Sequence, residues 1–141
     1  MLSLKIDDGL QEFDVNGKCK VYFNPADYVF VEKTYNTFNA LEKLNGETGE
    51  KLQNVTDNAE FFETVRSCDA EMRRQIDELF NKEGFCDCVF GSVGMISFGD
   101  GLPIWANLIL AIIEQFDDGF TSAKAFDNPR LQKYLKKYEK K

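Results

Sequence analysis

Histidine is absent from this chain of 141 residues, and the groups considered for acid, base or nucleophile chemistry are carboxylates and thiols. The candidates are Asp87, Asp100, Asp117 and Asp118, with Cys86 and Cys88 as thiols. A thiol attacks only as thiolate, which needs a neighbouring cation or a helix N-terminus, whereas Cys86-Asp87-Cys88 places an acid between the two sulfurs. Asp117-Asp118 precede Gly119 and read as a helix end or turn. The four cysteines, Cys19, Cys68, Cys86 and Cys88, fit neither a zinc hook, for which C-x-C is too tight, nor an evident pair of disulfides. Gly91-Ser92-Val93-Gly94 lacks the Gly-Lys-Ser/Thr ending of a phosphate loop and the spacing of a dinucleotide fold, so turn geometry is the simpler reading. No catalytic site, metal or cofactor is expected, and the chain reads as a binding or assembly protein.

Charge is unevenly placed. Of the formal −7, residues 124–141 carry seven basic and two acidic side chains, a net +5 that leaves −12 on residues 1–123. An acidic body repels phosphate backbones, which argues against nucleic acid as a partner, while the basic end suits an acidic one. The competing reading of that end is a solvated lysine-rich helix. The opening MLSLKIDD has no basic and apolar leader pattern, so a cytoplasmic protein with reduced thiols is expected. The apolar run Leu102 to Ile113 is broken by Asn107 and falls short of the roughly twenty residues a membrane span needs; no membrane partner is expected.

These features have to be carried by a core, and 43% hydrophobic residues with thirteen Phe supply one. Residues 2–23 alternate as strands around Asp8-Gly9 and Asn16-Gly17, which predicts a three-strand antiparallel meander. A two-residue turn at Asp8-Gly9 would pair Leu4 with Phe13, Leu2 with Val15 and Lys5 with Glu12. At Asn16-Gly17 the same turn would throw Cys19, Val21 and Phe23 to the wrong face; a three-residue loop or bulge, opposing Val15 to Cys19 and Phe13 to Val21, is expected instead.

Asn24-Pro25 signals a helix start, with Asn capping and the helix running to about Asn45 before Gly46 ends it; residues 46–55 then form a polar loop. Asp57 caps a second helix bearing the stripe Phe61, Val65, Cys68, Met72, Ile76 and Leu79. Its outer face, Glu63, Arg66, Glu71, Arg73, Arg74 and Glu78, is explained by solvation, and Asp69 with Arg73 forms an i,i+4 pair worth a few tenths of a kcal/mol. Residues 82–101 make a glycine-rich packed connector with room for one short strand-like or helical turn. The stretch DGLPIWANLILAIIEQFDDG, residues 100–119, is a buried apolar helix. Asn128-Pro129 opens a terminal helix with Leu131, Leu135 and Tyr138 on one stripe and lysines opposite.

The resulting expectation is a single α+β domain over residues 1–141, in which a meander (1–23) packs on a helical body (24–127) of three to five helices together with the basic terminal helix (128–141). Its core should include Phe13, Val21, Phe38, Phe61, Val65, Met72, Ile76, Trp105, Ile109 and Ile112.

Taken in order, the N-terminal strands, FNPADY, AEFFETVRSCDAEMRRQIDELF, CDCVFG, DGLPIWANLILAIIEQ and NPRLQKYLKKYEKK resemble short tail assembly chaperones of siphophages and prophages of low-GC Gram-positive bacteria. The resemblance spans nearly the whole chain. It implies a non-catalytic role in host cytoplasm: binding the long helical tape measure protein, keeping it soluble, and helping to recruit tail-tube subunits. It also implies that a longer frameshifted product can exist. The partner-contact candidates are Trp105, if exposed, and Lys133, Lys136, Lys137 and Lys140, with a homo-oligomer as a further possibility. The alternative is a permanent structural component of a phage tail or head–tail connector.

Overall fold

In the computed structural model, which describes residues 1–116 and 129–139, the chain is α+β. Strands β1 (Gln11–Val15) and β2 (Cys19–Phe23) form an antiparallel hairpin, followed by α1 (Tyr28–Gln53), α2 (Asn58–Leu79) and the short α3 (Phe85–Phe90). A small hairpin of β3 (Phe98–Gly99) and β4 (Leu102–Pro103) leads into α4 (Ile104–Ile113), and α5 (Pro129–Glu139) completes the described elements.

The hairpin has the register that alternation demands, Val15 opposite Cys19 and Phe13 opposite Val21. Asn16 (φ 55°) and Gly17 (φ 69°) take the left-handed turn, Lys18 N donates to the Val15 carbonyl, and Lys18 is the extra residue. Cys19, Val21 and Phe23 are thereby buried. The three-strand meander is corrected to two strands. Residues 1–10 join no ladder, because the Asp7 and Asp8 carboxylates accept from the amides of Gly9 and Leu10, and Asn24 Nδ2 donates to the Asp8 carbonyl. These local bonds compete with the ladder that a hairpin turn would require. Glu12 consequently pairs with Lys20 (3.3 Å) and Tyr22, not with Lys5.

Helix α1 starts later and ends later than its sequence signals. Asn24 Oδ1 accepts from Ala26 N in a preceding turn, and Asp27 is the cap, accepting from Val29 N. The helix passes through Gly46 and Gly49, replacing the expected polar loop 46–55, because its far end is still packed on α2: Thr48 is buried there. Lys33 Nζ reaches the Glu78 carbonyl, which fixes α1 and α2 as antiparallel neighbours. Asp57 caps α2 as expected.

Among the described elements, β2, β4 and every helix contribute buried residues to one hydrophobic cluster, against which Phe13 and Val15 of β1 pack. Phe23 stacks between Phe13 (4.2 Å) and Phe30 (4.6 Å), tying the hairpin to α1. Met72, Ile76, Trp105, Ile109, Ile112, Val21 and Phe38 are buried as expected. Phe13 and Val65 are half-buried and Phe61 is exposed, since the first turns of α2 extend past the elements that cover Cys68 to Leu79. The apolar run 100–119 is divided: Asp100 (φ 58°) and Gly101 (φ 86°) form the β3–β4 turn, and the helix begins at Ile104. Asn107, the polar interruption, donates to the Gly99 and Leu102 carbonyls and so stitches that hairpin to α4.

Candidate partner-binding surfaces

The basic terminal helix is the first surface the sequence singles out. Leu131 is buried, and Tyr134, Leu135 and Tyr138 are half-buried against the core. The Tyr134 ring lies 5.6 Å from Phe38 and 5.5 Å from Trp105, while Tyr138 Oη donates to Glu114 on the α4 end. Burial, then that hydrogen bond to Glu114, raises the Tyr138 phenol to about 12. With this stripe fixed inward, Lys133, Lys136 and Lys137 are exposed on the opposite side, together forming a basic ridge on an acidic protein. Lys140 lies outside the described residues.

Trp105 is not part of any surface. It is 0% exposed, packs between Phe38 (5.8 Å) and Tyr134, and donates through Nε1 to Asn45 Oδ1 at 3.2 Å. The second position of α4 points into the α1–α5 contact, so this residue belongs to the core, and its role as a partner contact is corrected.

Two apolar surfaces were not legible as such. Leu2, Leu4 and Ile6 of the unpaired arm stand 99%, 89% and 83% exposed. On α2, Phe61 and Phe62 meet edge to face at 5.5 Å with both rings open to solvent. Alternation and helical spacing identify such residues as apolar-face members, yet cannot say whether the chain itself supplies the cover.

Arg73 was read as a solvated residue, and the structure corrects this. Its Nε donates to Asp69 (2.9 Å), Nη1 to Asp87 (2.8 Å) and Nη2 to the Val93 carbonyl (2.6 Å), with the side chain only 12% exposed. Asp69 in turn accepts from Met95 N, and Asp77 from the amides of Gly84 and Cys86. The polar side of α2 thus organises the connector 82–101 by satisfying its backbone, a role that local spacing could not reveal because the partners lie 7 to 26 residues away.

Three of the thiols are held away from the thiolate form. Burial, then the Asp77 carboxylate, pushes Cys86 well above its ordinary value, and loss of solvent, then the Cys19 thiol, raises Cys88. Burial also raises Cys68. Among the described residues no three His, Cys, Asp or Glu side chains are grouped to hold a metal ion, and no helix is long and apolar enough to cross a membrane. Among the described residues, basic and apolar side chains are thus exposed around the core. No family model, curated protein or solved structure matches the chain.

Proposed function

We propose that this protein is a non-catalytic phage tail assembly chaperone, acting in the host cytoplasm, that binds and solubilises a tape measure protein and helps to recruit tail-tube subunits. The order of motifs from FNPADY to NPRLQKYLKKYEKK supports the family reading. The observation that carries the binding role is the ridge of Lys133, Lys136 and Lys137, turned outward by burial of Leu131 on the opposite stripe of α5. Such a ridge complements acidic residues on a helical partner.

The test is co-expression with the cognate tape measure fragment, followed by pull-down and measurement of the soluble fraction. The full chain is expected to capture the fragment and raise its solubility. Replacing Lys133, Lys136, Lys137 and Lys140 by Gln should weaken capture, with the greater loss at low salt, where exposed charges are least screened. A folded chain that neither captures nor solubilises the fragment would overturn the reading.

A permanent structural component of a tail or head–tail connector is the second reading, favoured by the uncovered arm, because surfaces that stay assembled are commonly apolar. Recovery of the polypeptide from purified virions would decide for this alternative.

A further inference from the structure

The arm, residues 1–10, has the alternation of a strand but pairs with none among the described residues. Leu2, Leu4 and Ile6 alternate with Ser3, Lys5 and Asp7, so in an extended chain the three apolar residues share one face. Its base is held rather than loose. The Asp7 and Asp8 carboxylates hold the amides of Gly9 and Leu10, and Asn24 holds the Asp8 carbonyl at 3.0 Å. Gly9 has φ 75°, and a Cβ there would run into the Asn24 amide, so the turn that directs the arm off its own hairpin fits only glycine.

A matching edge exists on the same chain. The Lys18 and Lys20 carbonyls of the β2 segment already accept from Cys88 Sγ (3.2 Å) and Lys82 Nζ (2.7 Å). Among the described residues, strand β1 pairs with β2 and no strand lies along its other edge. Beside the hairpin a groove of about 230 Å³ opens toward α4, lined by Phe13, Val15, Phe80, Leu108 and Ile112.

We propose that the arm of one copy adds as an antiparallel strand to β1 of a second copy, reciprocally, to form a closed dimer. The register with Leu4 opposite Phe13 and Leu2 opposite Val15 places the arm's apolar face on the groove side and brings Lys5 to Glu12 on the other. A slip by one residue would aim Ser3 and Lys5 at the groove, so pattern and charge select the same alignment. A second copy is the occupant because donor and acceptor surfaces complement each other in period and charge on one sequence. Pairing within one chain would instead require the 7–10 turn, with its three hydrogen bonds, to be rebuilt. Reciprocal exchange satisfies both arms and leaves no open end for further growth.

Sedimentation of the full chain over a wide concentration range tests this, comparing wild type with Leu2→Asp combined with Leu4→Asp. Both leucines are exposed in the single copy, so the variant should keep the wild-type circular dichroism and denaturation midpoint at the lowest concentration. Wild type is expected to show a monomer–dimer equilibrium, with the dimer weakened at least about tenfold in the double variant. Lys5→Glu should weaken it by about threefold, and adding Glu12→Lys should recover part of that loss. A wild type that remains monomeric throughout, or a double variant that dimerises as tightly, would overturn the proposal.

Discussion

Asp8-Gly9 and Asn16-Gly17 are turn signals of the same kind, each set between alternating apolar residues, and only the second closes a hairpin. At Asn16-Gly17 both residues are left-handed, and the following strand lays Cys19, Val21 and Phe23 into the core. At Asp8-Gly9 the glycine is also left-handed, but Leu2, Leu4 and Ile6 find no apolar cover within their own chain, and side chains of Asp7, Asp8 and Asn24 take the backbone groups. A two-stranded ribbon is marginal in water until one face is covered. The dipeptide permits the turn; burial decides whether the strand is kept.

The comparison is broken most forcefully by removing cover. Phe23→Ala takes away the ring stacked between Phe13 and Phe30 and should destabilise by about 3–5 kcal/mol, whereas Leu4→Ala in dilute protein should change stability by less than about 0.5 kcal/mol. Trp105→Ala, at the contact among α1, α4 and α5, should also cost about 3–5 kcal/mol. Chemical denaturation at low protein concentration measures all three.

Arginines one position apart on α2 sharpen the same lesson with charge. Arg73→Met removes the donor to the half-buried Asp69, to the exposed Asp87 and to the Val93 carbonyl; water can take up the last two, so the expected cost is about 1–2 kcal/mol, from the Asp69 bond and the lost tie to the connector. Arg74→Ala removes only exposed pairs with Glu71 and Glu78 and should cost under about 1 kcal/mol by the same denaturation assay. Gly17→Ala forces a side chain into the left-handed region and should cost about 1–2 kcal/mol, visible as a lowered denaturation midpoint.

The smallest effect is one of pH. Hydrogen bonds from Arg74, then Gln75, hold the Glu71 carboxyl down to about 2 from its ordinary 4.5. A depressed folded-state value means that its contribution is present above the unfolded value and is lost as pH falls from about 4.5 toward 2. With Glu71 substantially solvated, that contribution is a few tenths of a kcal/mol. Glu71→Gln should therefore narrow the stability difference from wild type between pH 5 and pH 2 by about that amount in acid titrations.

The sequence held the parity information that sets the β1–β2 register, since only one alignment keeps Cys19, Val21 and Phe23 together with Phe13 and Val15 on one face. The stripe from Cys68 to Leu79 was legible for the same reason. Gly46 misled because a glycine stops a helix only when nothing beyond it is packed, and Thr48 is packed. Phe61 misled in the opposite sense, continuing a helical period beyond the reach of the core. For the candidate surfaces, the lysine face of α5 followed from its stripe, while the burial of Trp105 and the reach of Arg73 depended on contacts 14 to 67 residues distant. Spacing along one element carries no signal for those.

Backbone hydrogen exchange resolved by residue, at concentrations below and above dimer formation, tests most directly whether cover decides which strand is kept. Amides of residues 19–23 should be protected at both concentrations, while those of residues 2–6 should exchange nearly as fast as an unfolded chain when dilute and slow markedly when concentrated. Protection of residues 2–6 at every dilution, or at none, would contradict the account.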